Sequence, residues 1–387
     1  MVRSNANGDD DVRETLSTMR GGRGAVSIQD VAAAAEVSIA TVSRVLNNPS
    51  LVAAKTSARV QAAIDKLGYV PNAFAQGLIT KASRVLGIAL PDIHGEFYSE
   101  LLRGADAEAR RLGYHLIVSS DAHVNPPGHE PPALGSESSA VNGTRSSHHA
   151  PRPRTRNLAF GLVDGLAVMI TEPNESLLKE ARSLQLPVVV LDLEIADAGV
   201  DCILVDNAVG TRQAVAHLLE QVDGTHLFFV GGPAENFDTR RRAEAFKGRL
   251  KSAGVKLRPD QLAFGEYNFE WGRAWALARG KDRLIGTGIL AGNDEIALGV
   301  LHTCQDLGLD VPRDVSIVGF DDTRLAGLVR PSLSSVRIPL AEIGSAAIAM
   351  LAKRVEDPAR PGETVRLETG LVIRQSSGGA KTVEGRG

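Results

Sequence analysis

Two short helices joined by a tight turn are predicted by the pattern of apolar residues in SIQDVAAAAEVSIATVSRVLN, residues 27–47. Ser27 with Asp30 three positions later is a variant of the capping box, and Ser38 is a second helix start signal. Each helix is expected to have one apolar face, made by Ile28, Val31, Ala32 and Ala35 and then by Val42, Val45 and Leu46. This arrangement is typical of a helix-turn-helix that reads DNA, although an ordinary helical hairpin has the same pattern.

A third helix is predicted to begin near Lys55 and Thr56 and to stop at Gly68. Its apolar face consists of Val60, Ala63, Ile64 and Leu67. Three short helices around one small apolar cluster make a minimal DNA-binding domain, in which the start of the second helix faces base edges and phosphates of the major groove. The candidate contacts in that position are Ile39, Ala40, Thr41, Ser43 and Arg44.

From Arg84 onward, apolar runs typical of buried strands alternate with amphipathic segments. In a first series, strands are predicted in VLGIALP, YHLIVSS, DGLAVMI and PVVVLDL, with helices in SELLRGADAEARRLG and SLLKEARSLQ. In a second series, helices in GTRQAVAHLLEQ, RRRAEAFKGRLKSAG and IALGVLHTCQDLG alternate with strands in HLFFVGGP, GTGILAGND and VSIVGFDD. Repeated βα units imply parallel sheets, so we expect two doubly wound subdomains with a ligand cleft at the carboxyl ends of their strands.

Charge is distributed unevenly along the chain. The whole sequence of 387 residues has a formal net charge of -3. Residues 27–84 are nevertheless net positive, with Arg44, Lys55, Arg59, Lys66, Lys81 and Arg84 against Asp30, Glu36 and Asp65. A cationic N-terminal domain on an acidic protein favours contact with phosphates, and its DNA binding should weaken steeply with salt.

The composition excludes several other classes of protein. Cys202 and Cys304 are isolated among apolar residues, which is typical of buried free thiols. No nucleophile–base pair, metal-ligand spacing or dinucleotide fingerprint is found, so we expect no enzyme activity, metal or cofactor. The first 23 residues lack the apolar core of a signal peptide and no run is long enough to cross a membrane, which predicts a cytoplasmic protein.

Three segments, VSIATVSRVLN, LGYVPNAFAQGL and VLGIALPD, resemble the start of a lac repressor (LacI/GalR) family regulator, and the resemblance continues through the chain. It implies an N-terminal helix-turn-helix followed by a periplasmic-binding-protein-like core over 85–376. The DNA-contacting residues expected within the helix-turn-helix are Ser27, Ser38, Ile39, Ala40, Thr41, Ser43, Arg44, Asn47 and Thr56. The family's hinge corresponds to residues 72–84, where Leu78, with Ala75 one turn before it, matches the leucine that enters the minor groove.

The resemblance also selects strand ends in the core. Arg242 matches the arginine that grips the effector, with Asn236 and Asp238 on the preceding loop. Asn293 and Asp321 follow two later strands. Phe97, Tyr98 and Tyr267 are the aromatic side chains expected against a sugar.

Several of these assignments have structural alternatives. Phe97 or Tyr98 would equally pack against the sheet, since both begin a predicted helix. Asp294 and Asp322, which neighbour two of the chosen residues, are more typical of helix caps than of ligand contacts.

Three departures from the family pattern stand out. Glu36 occupies a turn position where relatives have glycine, so it must adopt a left-handed backbone or shift the turn. Glu96 lies in an unusual opening loop of the core and would add a ligand contact or a charge at the cleft rim. Residues 122–157, rich in Pro, Gly, Ser, His and Arg, are predicted to be a disordered loop where the fold requires a helix.

The sequence therefore predicts a ligand-responsive transcriptional regulator, most often a repressor in this family, with a small-molecule effector that is a sugar or sugar derivative. The predicted divisions are a disordered tail at 1–26, a helix-turn-helix domain at 27–71, the hinge, the core, and a tail at 377–387. No leucine heptad follows Ser376, so we expect a homodimer that binds a near-palindromic operator. Two alternatives are a solute-binding protein of the transport class and an enzyme that uses Asp294 and Asp321 as an acid/base pair.

Overall fold

The three N-terminal helices pack around a small apolar cluster. The computed structural model describes residues 26–47, 49–69, 83–120, 162–171, 186–195 and 200–378. The helices are α1 (Ile28–Ala34), α2 (Ile39–Asn47) and α3 (Ala54–Leu67). Val31, Val42 and Val60, one from each helix, have no exposed surface. The described residues divide into two compact units, one within 1–83 and the other within 84–387.

Three of the helix ends in the first unit have a local cause. The N–H of Ser27 donates to Oδ2 of Asp30 at 2.8 Å, and the N–H of Asp30 donates to Oγ of Ser27 at 3.3 Å, which completes the predicted capping box. The N–H of Thr41 donates to Oγ of Ser38 at 3.1 Å, so Ser38 starts α2 as predicted. Gly68 ends α3 with φ of 64°, a left-handed conformation that glycine adopts without strain.

The core consists of parallel strands alternating with helices. The strands are β1 (Val85–Leu90), β2 (His115–Ser120), β3 (Gly165–Met169), β4 (Val188–Leu191), β5 (Asp201–Val205), β6 (Leu227–Gly231), β7 (Leu262–Phe264), β8 (Thr287–Ala291), β9 (Val315–Asp321), β10 (Ser334–Arg337), β11 (Thr364–Leu367) and β12 (Gly370–Val372). The helices are α4 (Gly95–Arg111), α5 (Asn207–Leu219), α6 (Phe237–Ser252), α7 (Phe269–Arg279), α8 (Lys281–Leu284), α9 (Asp294–Asp306), α10 (Arg324–Leu328) and α11 (Leu340–Glu356).

These strands form two six-stranded sheets, as the two predicted series of βα units require. The first sheet has the order β11-β5-β4-β3-β1-β2 and the second has the order β12-β10-β9-β8-β6-β7. The pairs are parallel except β10 with β12. Helices α4 and α11 pack together beside the first sheet, while α5 and α6 pack beside the second. The fully apolar strands, such as VLGIAL in β1, are buried along their whole length, which is typical of parallel sheets covered on both faces.

The chain passes between the two sheets three times. It leaves the first sheet after β5, returns after β10 and crosses again between β11 and β12. The hydroxyl of Thr369, in the third crossing, donates to the carbonyl of Asp206, in the first, at 2.7 Å. The N–H of Asp206 donates to the carbonyl of Leu367 at 2.9 Å. Two of the crossings are therefore hydrogen-bonded to each other.

The structure differs from the sequence-based expectation in several elements. The pattern did not predict β5, β7, α7 or α10. The pattern of VRLETGLVIRQS, residues 365–376, predicts a single strand, but the segment forms β11 and β12 in different sheets, because Glu368 and Thr369 carry the chain from one sheet to the other. Ser377, assigned to the tail, is buried, and its Oγ lies 2.8 Å from Nε2 of His217.

Several predictions concern segments outside the described residues. These are the tail before residue 26, most of the hinge, the loop at 122–157 and the helix in SLLKEARSLQ. Cys202 and Cys304 are both buried free thiols, as predicted. Within the described part of the chain, no helix combines the length and the apolar character needed to cross a membrane.

Candidate functional site

The second helix of the N-terminal unit has a buried face and an exposed one. Val42 and Val45 turn into the apolar cluster. Ser38, Ile39, Ala40 and Arg44 are exposed, while Thr41 and Ser43 are half-buried. Ile39 is 46 % exposed at the start of this helix, and an exposed isoleucine there suits apolar contact with a thymine methyl group.

The remaining predicted DNA contacts lie around this helix or outside the described residues. Ser27 starts α1, and Thr56 is half-buried in the first turn of α3. Asn47 is the last residue of α2, but its side chain is not among the described ones. Ala75 and Leu78 also lie outside the described residues.

Glu36 adopts the left-handed backbone that its turn position requires. Its φ is 50°, which is uncommon for a residue other than glycine. A guanidinium nitrogen of Arg59, on α3, lies 3.5 Å from the carbonyl oxygen of Glu36 and donates to it. The turn therefore keeps the geometry of a glycine turn at the cost of backbone strain.

A cavity of about 330 Å³ lies between the carboxyl ends of the two sheets. All eight residues predicted to contact the effector line it: Phe97, Tyr98, Asn236, Asp238, Arg242, Tyr267, Asn293 and Asp321. Further lining residues that the sequence did not select are Asp92, His94, Met169, Thr171, Asp192, Glu266, Asn268 and Glu295. The cavity is thus built from both subdomains of the core.

Arg242 is held rigidly in the wall of this cavity. It is 3 % exposed, its Nε donates to Oδ1 of Asn207 at 2.7 Å, and one terminal nitrogen donates to the carbonyl of Gly292. The guanidinium lies 3.8 Å from the ring centroid of Phe320. Burial opposes the charge, but Tyr267 and three aspartates including Asp238 raise the pKa of Arg242, so the side chain stays cationic.

Both predicted asparagines also start helices. Oδ1 of Asn236 accepts from the N–H groups of Asp238 and Thr239, and Oδ1 of Asn293 accepts from the N–H of Ile296. Asp238 is predicted to lie on the loop before the helix, but it lies in the first turn of α6, because Asn236 caps the helix and the helix begins at Phe237. With Oδ1 used in this way, the amide nitrogen of each asparagine is left to donate to a ligand.

Phe97 and Tyr98 pack against the core and also line the cavity. The two alternatives given by the sequence, packing and ligand contact, are therefore compatible. The rings of Phe97 and Tyr98 meet edge to face with centroids 5.0 Å apart, and both pack against the core cluster. The hydroxyl of Tyr267 lies 2.7 Å from that of Thr239, and burial raises the pKa of Tyr267 to about 12. Gly232 permits this position of the ring, because a Cβ there would lie 2.5 Å from Cε2 of Tyr267.

Two acidic residues make contacts that the sequence did not predict. Asp294 does not line the cavity, and its carboxylate accepts from Thr323 and from the hydroxyl of Ser335. Asp322 neither caps a helix nor lines the cavity, because it pairs with the guanidinium groups of Arg337 and Arg374.

Glu96 lies beside the cavity rather than in its lining. Its Oε2 accepts from the N–H of Leu325 at 2.9 Å, so it bridges the two subdomains instead of adding a ligand contact.

The same geometry bears on catalysis and metal binding. An acid/base pair of Asp294 and Asp321 would need both carboxylates in the cavity, and only Asp321 is there. Among the described residues, no group of three or more His, Cys, Asp or Glu side chains is arranged to hold a metal ion.

Comparisons with known proteins agree with both parts of this architecture. Residues 27–72 match the family of bacterial regulatory proteins of the lacI type, and residues 215–377 match the periplasmic-binding-protein-like domain. Catabolite control protein A of Priestia megaterium is 32 % identical over 352 residues, which cover 91 % of this chain and 99 % of that protein. The HTH-type transcriptional regulator RegA of Clostridium saccharobutylicum is 29 % identical, with the same two coverages.

Solved structures show the same fold. The lac repressor dimer bound to operator and the anti-inducer ONPF superposes with a TM-score of 0.73 at 25 % identity, over 92 % of this chain and 99 % of that one. The transcriptional regulator CelR in complex with cellobiose gives a TM-score of 0.63 at 23 % identity, over 91 % of this chain and all of that one. The chain belongs to the lacI family of bacterial regulatory proteins, and it is a DNA-binding transcriptional regulator.

Proposed function

We propose that this protein is a repressor whose affinity for its operator is controlled by a carbohydrate bound in the cleft of the core. The observation that carries the proposal is the convergence of Phe97 and Tyr98 from one subdomain with Arg242, Tyr267 and Asp321 from the other around one cavity. Carboxylates and a guanidinium hold sugar hydroxyls through charge-assisted hydrogen bonds, while aromatic faces pack against the apolar face of a sugar ring.

On the DNA side, the proposed reader is the exposed start of α2. Ile39, Ala40 and Arg44 would enter the major groove, while Ser27 and Thr56 would contact the backbone from the neighbouring helices. Two copies of the chain would bind a near-palindromic operator with half-sites about one helical turn apart. The lac repressor structure, a dimer on its operator, supports this assembly.

Cleft and DNA would be coupled through the hinge at 72–84, in the cytoplasm where the operator is found. A ligand shifts the operator affinity only if it binds the two states of the core with different affinities, and a difference of about 1–3 kcal/mol is sufficient. The three chain crossings between the sheets would be the hinge about which the two subdomains open and close.

The experiment that tests the proposal combines operator selection with ligand titration. DNA selected from a random pool by the full-length protein is used in a gel shift with a panel of sugars. We expect one sugar to change operator affinity by about fivefold or more. Arg242→Ala should keep DNA binding and lose the response, whereas Arg273→Ala, an exposed arginine of α7 outside the cavity, should keep both. Operator affinity that no sugar changes would overturn the proposal.

A further inference from the structure

The walls of the cleft have a large excess of acidic side chains. Among the described residues that line the cavity, the cationic or titratable basic groups are Arg242 and His94. The carboxylates number six, namely Asp92, Asp192, Asp238, Glu266, Glu295 and Asp321. His94 is itself paired with Asp92, since its Nδ1 lies 2.6 Å from that carboxylate. A neutral sugar does not require such an imbalance, because its hydroxyls bind amides as well as carboxylates.

Arg242 offsets only part of this excess, because the protein itself engages much of its guanidinium group. Nε donates to Asn207 and one terminal nitrogen donates to Gly292. The other terminal nitrogen lies 3.6 Å from Oδ2 of Asp238, whose charge it balances. After this pairing, the inner part of the cavity still contains two carboxylates, those of Asp192 and Asp321.

Asp192 and Asp321 face the cavity from opposite subdomains, at the ends of β4 and β9. They are 5 % and 4 % exposed, and neither carboxylate accepts a hydrogen bond from any described residue. Burial raises the pKa of each aspartate well above its usual range. Their oxygens open onto the cavity, so the hydrogen-bond donors that these two carboxylates need come from whatever fills it.

The backbone at both aspartates is held in an uncommon conformation. Asp192 has φ of 66° and Asp321 has φ of 110°. Such strain persists only where the surrounding structure imposes it, and it is concentrated at ligand sites. Both residues with this backbone lie where a strand ends at the cavity.

We infer that the effector is cationic, a polyhydroxylated compound with an ammonium group, such as an amino sugar, placed between Asp192 and Asp321. An ammonium donates three hydrogen bonds and neutralises the charge of the two carboxylates. The aromatic rings of Tyr98 and Tyr267 add favourable contact with a cation. A sugar phosphate or a sugar acid would meet like charge on nearly every wall. The inference rests on the proposed function, since it concerns the same cleft.

Calorimetry with full-length protein and matched sugar pairs tests this assignment. The pairs are glucosamine with glucose, galactosamine with galactose and mannosamine with mannose, and glucose 6-phosphate is the anionic member. We expect one amine to bind at least about tenfold more tightly than its neutral partner, and the phosphate not to bind. A neutral sugar or the phosphate binding as tightly as the amines would overturn the inference while the proposed function stands. A panel in which no member binds would overturn both.

Two variants connect the preference to the two aspartates. Asp192→Asn and Asp321→Asn keep the size of the side chain, and asparagine tolerates a left-handed backbone. Each should reduce the affinity for the amine by about tenfold while changing the affinity for the neutral partner less than threefold. Asp282→Asn, an exposed aspartate of α8 outside the cavity, removes the same charge and should change neither. Equal losses for amine and neutral sugar in the cleft variants would contradict the inference.

Discussion

The N–H of Leu325 donates to Oε2 of Glu96 at 2.9 Å and joins the start of α4, beside the first sheet, to α10, beside the second. Two further contacts join the subdomains next to the cavity. The N–H of Phe237 donates to the carbonyl of Thr171 at 2.8 Å, and a guanidinium nitrogen of Arg241 donates to the carbonyl of Asp192 at 3.0 Å. The described conformation is therefore one in which the cleft is bridged.

Removing the hydrogen bond between Glu96 and Leu325 should weaken effector binding, although Glu96 itself does not line the cavity. Glu96→Ala removes a hydrogen bond present only in the bridged state, which favours that state by about 0.5–1.5 kcal/mol. Effector affinity measured by calorimetry should fall by the corresponding factor, about two- to tenfold. Glu100→Ala, on the same helix but paired with Arg103 within it, is the matched control and should leave affinity unchanged. Equal affinities for Glu96→Ala and the unaltered protein would mean that the bridge does not form in solution.

Arg44 should carry a large share of operator recognition. It is exposed on α2 near Ile39 and Ala40, so Arg44→Ala should weaken operator binding by about 1–3 kcal/mol in a gel shift at fixed salt. Lys66→Ala removes one positive charge from the exposed end of α3 and should cause a smaller loss. Operator affinity that is unaffected by Arg44→Ala would exclude the proposed reading helix.

Relief of the strained turn should stabilise the DNA-binding unit. Glu36→Gly removes the penalty of a left-handed non-glycine residue, and the expected gain is about 1 kcal/mol. Ala34→Gly, in the last turn of α1, makes glycine in a helix and should destabilise the unit by about 1 kcal/mol. Hydrogen exchange of the amides in α1 and α2 in the full chain measures both effects. Faster exchange in Glu36→Gly would show that the turn is not strained.

Asp294 should make the stability of the core depend on pH. Burial raises its pKa to about 7, and Asp322 adds to the shift, while hydrogen bonds from Ser335 and Thr323 lower it. The native pKa lies above the unfolded value of about 3.9, so the native state binds this proton more tightly. Its contribution to stability is therefore full below about pH 4 and is lost as the pH rises towards 7.

The matching variant is Asp294→Asn, which cannot lose a proton. It should be less stable than the unaltered protein at pH 5, because an amide replaces one acceptor oxygen. The difference should shrink as the pH rises to 8, by an amount on the order of a few kcal/mol. Thermal unfolding midpoints at pH 5, 6, 7 and 8 measure this trend. Parallel curves for the two proteins would mean that Asp294 is already ionised at pH 5.

Much of the fold was predictable, because the spacing of apolar residues within a segment is enough to identify most of its strands and long helices. The apolar runs of β1 and β9 and the long helices have periods that a single sequence reveals. β5 was missed because it starts with Asp201, a charge typical of loops. That charge is buried against the guanidinium of Arg354, which is 153 residues later in the chain, so no local pattern identifies it. β7 is three residues long and too short for a period.

The residues of the site were predictable where they follow a strand that the local pattern reveals. The strand-end rule with the family resemblance selected Asp321 and Arg242, which line the cavity. The same rule applied to PVVVLDL would have selected Asp192, which directly follows β4. The pairing of Asp294 with Ser335 and the bridge from Glu96 were not predictable, because both partners of each contact are far apart in sequence.

Consecutive strands β11 and β12 lie at the edges of the two different sheets, joined by Glu368 and Thr369. A frameshift or stop codon that removed this short segment would leave β5 and β10 as bare edges at once, and bare edges recruit other chains. Even a very late nonsense mutation should therefore produce aggregated protein rather than a partly active regulator. Reporter fusions and affinity tags should accordingly be attached beyond Gly378, after the buried Ser376 and Ser377.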